Sequence, residues 1–344
     1  GRVIGVAPDV LAFSVGDLVA CGGLSAAHAE VVAVPANLCV KLSPEADLKK
    51  AAYNTLGAIA LQGVRQADLR LGETCAVIGL GLIGQLICLL LKAGGIRVVG
   101  IDVDEWAVGV AAAHCADLAF LRNHSGIEER IDAFSGGVGA DVVIIAAGSD
   151  SLDPVNFAGR ICRKKGRVIV VGNVPTGFDR DPDYYRKELE LRMSCSYGPG
   201  RYDPLYEEKG HDYPIGYVRW TEQRNMQAFQ ELVHSGRIDI DYLTTQEFSL
   251  EEAPQAYDLI LKKEEPCLGI LIRYDVGKSH TSEKIVLRQG APTGSVGIAF
   301  IGAGSYAQSH LLPNLPREAS VARVGVMTAT GTTARSVAER FSFG

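Results

Sequence analysis

A glycine-rich turn between two apolar runs constrains the fold of this 344-residue chain more than any other stretch. The first run ends in Gly79, Gly81 and Gly84, and a helix-like segment, residues 85–93, follows. The second run ends in Asp102. The order of strand, glycine-rich turn, helix, strand and acid predicts a βαβ unit that binds a dinucleotide at the turn. Such units build parallel sheets covered by helices, so the motif predicts an α/β fold.

Each glycine of the turn has its own predicted task. Gly79 permits the tight turn, Gly81 lets the backbone approach a pyrophosphate, and Gly84 lets the helix pack closely on the strand. The phosphates would lie at the helix N-terminus, where unpaired N–H groups favour an anion. We therefore predict that Leu82 and Ile83, at the start of this helix, bind the cofactor together with the glycines.

Asp102 predicts which dinucleotide binds. Its carboxylate can accept hydrogen bonds from the ribose 2′-hydroxyl, and it would repel a 2′-phosphate. The sequence therefore favours NAD over NADP at this first site, with the neighbouring Val103 as a further cofactor residue.

Composition and charge exclude several other classes of protein. A net charge of −6 and a pI near 5.7 argue against nucleic acid or an anionic membrane as a partner. No apolar run reaches the roughly 18 residues of a membrane span. The eight cysteines form no Cys-x-x-Cys pair, and we expect small core residues in a reducing, cytoplasmic setting. The chain starts at Gly1 inside a strand-like stretch and stops at Gly344 just after a helical pattern. We therefore expect both ends to be cut.

The pattern along the chain predicts a doubly wound parallel sheet flanked by smaller parts. Continuous apolar runs alternate with helical patterns, which indicates a sheet covered on both faces. We predict a partial β domain over residues 1–50, with a strand over 29–35, and a nucleotide-binding domain over 51–200. An aromatic loop with helices and a returning strand is predicted over 201–275. A linker over 276–294 and the truncated start of a second nucleotide-binding domain over 295–344 complete the prediction.

Residues 197–225, called here the aromatic segment, interrupt that alternation with tyrosines and charged residues. A long loop with its own aromatic residues is typical of a lid, a pocket wall or an interface. Tyrosine and arginine side chains could stack on a sugar and hydrogen-bond to it. Packing between domains or across a dimer is the open alternative. The candidate substrate residues are Ser196, just before this segment, and Tyr197, Arg201, Tyr202, His211 and Tyr213 within it.

A second glycine-rich turn follows the strand-like run 296–301, and the pattern after it predicts a helix over 308–315. Gly302, Gly304 and Tyr306 are its candidate cofactor residues. The next strand-like run is followed by Thr328 and Thr330 rather than by an acid, so this second site could take either NAD or NADP.

Residues 1–275 resemble the medium-chain dehydrogenase/reductase family, the zinc alcohol dehydrogenase superfamily. The resemblance rests on Val-Gly-Asp-Leu-Val at 15–19, His-Ala-Glu-Val-Val at 28–32, and Leu-Gly-Glu-Thr at 71–74, which leads into the turn. It implies a GroES-like β domain beside a Rossmann domain. It also implies that the backbone at Gly172 and Asn173 contacts the nicotinamide, and that His28 faces the substrate as a general base or proton donor. A solvent-facing histidine is the alternative interpretation.

Residues 296–344 resemble the start of the glucose–fructose oxidoreductase and inositol dehydrogenase family. Gly302, Gly304 and Tyr306, followed by His-Leu-Leu-Pro at 310–313, carry this resemblance. The order of the two units, with the block at 196–203, is similar to bi-domain oxidoreductases of bacterial polysaccharide and sugar-metabolism clusters.

The resemblance also bears on zinc. Two of the family's zinc ligands would lie upstream of Gly1, and the third falls near Asn54, where the stretch 51–63 has neither cysteine nor carboxylate. Cys21 is the nearest remaining candidate, and packing is its simpler role. We therefore predict no catalytic metal.

These observations predict a nicotinamide-dependent oxidoreductase that transfers hydride to or from a sugar or a sugar-derived alcohol or ketone, without zinc. One alternative is a non-redox NAD enzyme, an epimerase or lyase that oxidises its substrate transiently. Another is a dinucleotide-binding scaffold whose chemistry belongs to the downstream unit. The strand-like run 190–196 is a candidate edge for a homodimer.

Overall fold

The computed structural model describes residues 1–262, 265–275, 296–316, 318 and 320–344. The chain divides into two units, Gly1–Tyr274 and Asp275–Gly344. The predicted linker, residues 276–294, lies outside the described residues. The finer domain bounds stay predictions.

A parallel six-stranded sheet forms the centre of the first unit. Its spatial order is β5-β4-β3-β6-β7-β8, which is the 3-2-1-4-5-6 order of a Rossmann sheet. The strands are β3 (Thr74–Ile78), β4 (Arg97–Asp102), β5 (Leu118–Leu121), β6 (Ala140–Ile145), β7 (Cys162–Val170) and β8 (Glu190–Met193). The predicted α/β fold with a parallel sheet is confirmed.

Helices cover both faces of this sheet. Neighbouring residues of β3 belong to different cores, since Cys75 and Val77 face one cluster while Ala76 and Ile78 face the other. A strand buried on both sides must be apolar at every position, which explains the continuous apolar runs. The first core includes α2 (Asn54–Ala67), α3 (Leu82–Ala93), α4 (Glu105–His114) and α8 (Glu222–His234), and the second includes α5 (Ile127–Phe134) and α6 (Asp153–Ile161).

The part before the sheet contains less regular structure than predicted. Strands β1 (Val19–Cys21) and β2 (Cys39–Lys41) pair antiparallel, and α1 (Leu48–Ala51) precedes α2. The strand-like start of the chain contributes an isolated bridge from Arg2 to Leu18. Residues 29–35, predicted as a strand, are irregular, and Val31 is 50% exposed. Composition suited to a strand does not supply the partner that a strand needs.

The remainder of the first unit contains the aromatic segment and a parallel pair of strands. Helix α7 (Pro204–Glu207) lies within the aromatic segment. Strand β9 (Thr244–Ser249) pairs with β10 (Gly269–Arg273), and α9 (Ala253–Lys262) connects them.

The second unit is small and contains one parallel crossover. Strand β11 (Val296–Ile301) pairs with β12 (Val321–Met327), and α10 (Gly331–Phe341) follows. A predicted regular helix over 308–315 is instead a π-helical turn, Ala307–Leu311, followed by a 3₁₀ turn, Leu312–Asn314, where Pro313 removes a backbone donor. The start of a second Rossmann domain stays a prediction.

Within the described ranges, no helix is long and apolar enough to cross a membrane.

Candidate functional site

The turn after β3 can be built only with glycine at two of its positions. Gly79 has a φ of +96°, and its N–H donates to the Ile101 carbonyl at 2.8 Å. A Cβ on Gly79 would lie 2.5 Å from the backbone nitrogen of Ala147, and one on Gly84 would lie 1.8 Å from the Gly79 carbonyl oxygen. Both distances are shorter than atoms tolerate, so the first turn of α3 packs directly on the strand end.

Gly81 differs from the other two because open space lies beside it. A Cβ built there meets no atom of the described part of the chain within 4 Å, and the residue is exposed. Gly81 is the N-cap of α3, and no side chain caps this helix. The first N–H groups of α3, which include those of Leu82 and Ile83, therefore remain open to an anion at the helix N-terminus.

Asp102, at the end of β4, is held beside this turn by backbone donors. One carboxylate oxygen accepts from the Leu80 N–H at 2.5 Å and the other from the Asp104 N–H at 2.9 Å. A carboxylate oxygen has more than one lone pair, so each can accept a further hydrogen bond. Val103 is 83% exposed next to it. The Asp102 carboxylate can therefore accept a further hydrogen bond from a hydroxyl group.

A third strand end completes the crevice. The Gly172 N–H donates to the Ile145 carbonyl at 2.9 Å, and a Cβ on Gly172 would lie 2.1 Å from the Ala147 carbonyl oxygen. The Asn173 carbonyl accepts from the Ser149 N–H at 3.0 Å, and its side chain is exposed. Since Gly79 also packs on Ala147, the carboxyl ends of β3, β6 and β7 meet backbone to backbone. The geometry fits a dinucleotide at the switch point of the sheet.

His28 lies on the surface and contacts α9. Its Nδ1 is 2.8 Å from the Tyr257 hydroxyl, and the two ring centroids are 6.0 Å apart. No pattern in the sequence pointed to Tyr257, which is 229 positions away from His28. The catalytic role of His28 stays a prediction.

Arg201 contacts two other predicted substrate residues, Tyr197 and Tyr202. It forms a 2.5 Å ion pair with Glu207, and both side chains are largely buried. Its guanidinium carbon lies 4.3 Å from the ring centroid of Tyr202 and 5.2 Å from that of Tyr197. Tyr197 is buried with residues of β2, α2 and α8, and Tyr202 is 70% exposed. The aromatic segment therefore has a buried anchor and an exposed aromatic face.

The other three predicted substrate residues, Tyr213, His211 and Ser196, have surroundings of their own. The Tyr213 hydroxyl donates to Asp203 at 2.5 Å, and its ring stacks on Tyr206 with centroids 5.3 Å apart. The hydrogen bond to Asp203 raises the pKa of Tyr213 to about 12. His211 is exposed, and Ser196 has a φ of +44°. Their roles in substrate binding stay predictions.

Glu222 is a buried acid that the sequence did not reveal. It is 0% exposed, and among the described residues neither carboxylate oxygen has a hydrogen-bond partner. Burial, with Glu207 nearby, raises the pKa of Glu222 to about 8, and Arg201 opposes that shift. Thr221 caps α8, so Glu222 looked like an ordinary acid in a first helical turn.

Asn54, whose side chain is an amide, occupies the position where a third zinc ligand is expected. Asn54 is buried at the start of α2, and its side-chain oxygen accepts from Gln230 at 2.9 Å. In the described part of the chain, no three His, Cys, Asp or Glu side chains are placed to hold a metal ion.

The second glycine-rich turn repeats one hydrogen bond of the first. The Gly302 N–H donates to the Met327 carbonyl at 2.8 Å, and Gly302 has a φ of +86°. A Cβ on Gly304 would meet nothing within 4 Å. Tyr306 is 69% exposed and stacks on His310, with centroids 4.9 Å apart. Thr328 follows Met327 where Asp102 follows Ile101 in the first turn, so the second turn has no acid in the matching place.

Wild-type protein should lose stability as the pH rises, because the buried carboxyl of Glu222 has a raised pKa. Glu222→Gln should remove this loss. A carboxyl whose pKa is raised on folding stabilises the protein below its unfolded pKa, and this contribution is lost as the pH rises through the folded value of about 8. We expect the variant to be more stable than wild type near pH 9, by about 2 kcal/mol, in urea unfolding followed from about pH 5 upwards. Glu231→Gln, at an exposed position of α8, is the matched control. Parallel wild-type and Glu222→Gln profiles would contradict the prediction.

Comparisons with known proteins agree with this architecture. Residues 83–208 match the family model described as zinc-binding dehydrogenase. D-guloside 3-dehydrogenase from Shigella flexneri is 27% identical over 267 residues, which covers 75% of this chain and 70% of the relative. Probable D-xylulose reductase A from Arthroderma otae is 29% identical over 241 residues, which covers 67% of this chain and 59% of the relative.

A solved structure shows the same fold. A putative zinc-binding dehydrogenase from Sinorhizobium meliloti, bound to NADP, superimposes with a TM-score of 0.60 at 20% identity and covers 80% of each chain. These matches do not support a fused glucose–fructose oxidoreductase domain or a second cofactor site, and both stay proposals. The matched stretch and the relatives are similar to zinc-binding dehydrogenases and to reductases of sugars, and they support an alcohol dehydrogenase-like oxidoreductase.

Proposed function

We propose that this enzyme is an NAD-dependent dehydrogenase that moves hydride between the nicotinamide and a carbinol carbon of a sugar-derived alcohol or ketone. The observation that carries the proposal is the crevice in which the open space at Gly81 adjoins the Asp102 carboxylate. The sugar part of the proposal is supported by relatives whose names specify a guloside and xylulose.

The chain's own residues bind and orient the cofactor, which supplies the hydride acceptor or donor. The open N-terminus of α3 takes the pyrophosphate, and Asp102 accepts from a ribose hydroxyl. Gly172 and Asn173 line the nicotinamide end, where the backbone approaches closely because Gly172 has no Cβ.

His28 is the proposed proton carrier for the substrate hydroxyl. Its Nδ1 is occupied by the Tyr257 hydroxyl at 2.8 Å, which leaves Nε2 to exchange a proton with the substrate. We propose this route instead of zinc because an amide, Asn54, stands where the third ligand is expected. An amide is a poor zinc ligand beside cysteine, histidine or a carboxylate.

The aromatic segment is the proposed wall of the substrate site. The exposed ring of Tyr202, with Arg201 held against it, offers stacking and donor groups to a sugar. Packing against another domain or subunit is the competing role. Strand β8 is at one end of the sheet order and is the proposed edge for a homodimer.

The turn at Gly302 is a proposed second dinucleotide site, for NAD or NADP. Its support is the hydrogen bond from Gly302 to the end of β12, which repeats that from Gly79 to the end of β4. A fused domain of the glucose–fructose oxidoreductase type is the corresponding proposal for the second unit.

We expect the protein to form NADH from NAD with at least one member of a panel of sugar alcohols and glycosides, followed by absorbance. Accumulation of NADH in proportion to oxidised product supports a dehydrogenase. Conversion of substrate without net NADH would favour the epimerase or lyase alternative. Binding of NAD without turnover would favour the scaffold.

Gly81→Ala should weaken NAD binding without disturbing the fold. The added methyl would meet no atom of the described residues within 4 Å, yet it occupies the space through which the pyrophosphate approaches the backbone. We expect an unchanged melting temperature and an affinity lower by tenfold or more, about 1.4 kcal/mol, by calorimetry. Gly109→Ala, at an exposed position of α4 with nothing within 4 Å, is the control and should bind as wild type does. Wild-type affinity in Gly81→Ala would exclude this turn as the pyrophosphate site.

Asp102→Ala should lose its preference for NAD. Removal of the carboxylate abolishes the hydrogen bond to the ribose and the repulsion of a 2′-phosphate. Calorimetric titration with NAD and NADP should show the affinity ratio falling about tenfold or more. Asp102→Asn, which keeps an oxygen for the Leu80 N–H, separates loss of charge from distortion of the turn. An unchanged ratio in both variants would mean that Asp102 does not select the cofactor.

A further inference from the structure

Two cysteines face each other across the strand pair that precedes the nucleotide-binding sheet. Cys21 ends β1, Cys39 begins β2, and the antiparallel register pairs them directly. Their sulfur atoms are 3.7 Å apart. Both are free thiols in this structure.

The register places this pair where side chains approach most closely. Backbone hydrogen bonds join Gly22 to Leu38 at 2.8 Å and Leu42 to Leu18 at 2.9 Å. Cys21 and Cys39 therefore lie at a non-hydrogen-bonded position, where Cα atoms are about 4.5 Å apart. That separation is inside the range of about 4.4–6.8 Å that disulfides span. The sulfurs need side-chain rotation, with little backbone movement, to reach bonding distance.

We propose that Cys21 and Cys39 form a redox-active dithiol, which a small-molecule disulfide such as oxidised glutathione converts into a cross-strand disulfide. The proposal is independent of the dehydrogenase chemistry proposed above.

This thiol–disulfide exchange needs only the two cysteines and the small-molecule disulfide. The Cys21 thiolate attacks one sulfur of the oxidant, forms a mixed disulfide and releases one small-molecule thiolate. The Cys39 thiolate then attacks the Cys21 sulfur, which forms the cross-strand bond and releases the second thiolate. The two protons lost by the cysteines go to the two released thiolates. The protein is oxidised by two electrons and the oxidant is reduced to two thiols.

The surroundings favour Cys21 as the attacking group. Cys21 is partly exposed, whereas Cys39 is 9% exposed. The hydrogen bond from the Cys39 thiol lowers the pKa of Cys21 to about 7. A thiol whose pKa is near the ambient pH combines thiolate population with nucleophilicity.

The disulfide would close the loop from Gly22 to Leu38, which carries His28. The backbone on both sides is already tied to the first unit's helices. The Thr55 hydroxyl of α2 donates to the Cys21 carbonyl at 3.5 Å, and Gln223 of α8 donates to the Cys39 carbonyl at 2.9 Å. Closing such a loop constrains the unfolded chain, so the oxidised protein should melt at a higher temperature.

The test is equilibration of the folded full chain in buffers of varied reduced and oxidised glutathione, followed by acid quenching, alkylation and peptide mass mapping. We expect a linked peptide pair containing Cys21 and Cys39, and a melting temperature higher by roughly 5 °C. Cys39→Ser should stop at the first step and carry one glutathione on Cys21. Cys195→Ser, at an exposed cysteine elsewhere, should still form the cross-strand bond.

Three results would overturn the proposal in protein that remains folded. In the first, both cysteines are recovered alkylated under oxidising conditions. In the second, wild type accumulates glutathione on Cys21 that Cys39 never displaces. In the third, Cys21 pairs with a cysteine other than Cys39.

Discussion

The proposed cofactor crevice depends on a close approach of backbones around Ala147. The ends of β3 and β7 pack on this residue so tightly that a methyl group on Gly79 or Gly172 would overlap its backbone atoms. The same closeness lets α3 begin directly above the strand end, where a methyl on Gly84 would collide with the Gly79 carbonyl. The open N-terminus of α3 and the position of Asp102 both follow from this packing.

Among the described residues of the first unit, the most buried charged side chains lie in the aromatic segment and not in the central sheet. The sheet is apolar on both faces because helices cover both, and it can tolerate few charges. The aromatic segment, in contrast, buries the Arg201–Glu207 ion pair and the carboxyl of Glu222 close together. An acid without a hydrogen-bond partner is costly to bury, and it remains there in its protonated form below its raised pKa.

Prediction from sequence succeeded where local pattern and tertiary environment agree. Strands β3 and β4 were recognised because burial on both faces makes their central residues apolar. Prediction failed for residues 29–35, where β-branched residues lack the pairing that defines a strand. It also failed for residues 308–315, where helical periodicity passes through Pro313 and the backbone tightens into π and 3₁₀ turns. Cys195, expected in the core with the other cysteines, is exposed.

The sequence by itself determined the parallel α/β architecture, the glycine-rich turn and the acid after β4, because each is a local pattern set by chain geometry. Only the tertiary structure decided the burial of Glu222, the contact of His28 with Tyr257 and the alignment of Cys21 with Cys39. These features join residues from different elements, and the energy of such a contact depends on packing that no local pattern records. The structure therefore supplied side-chain contacts between distant residues, whereas the proposed cofactor site is marked by a local pattern in the sequence.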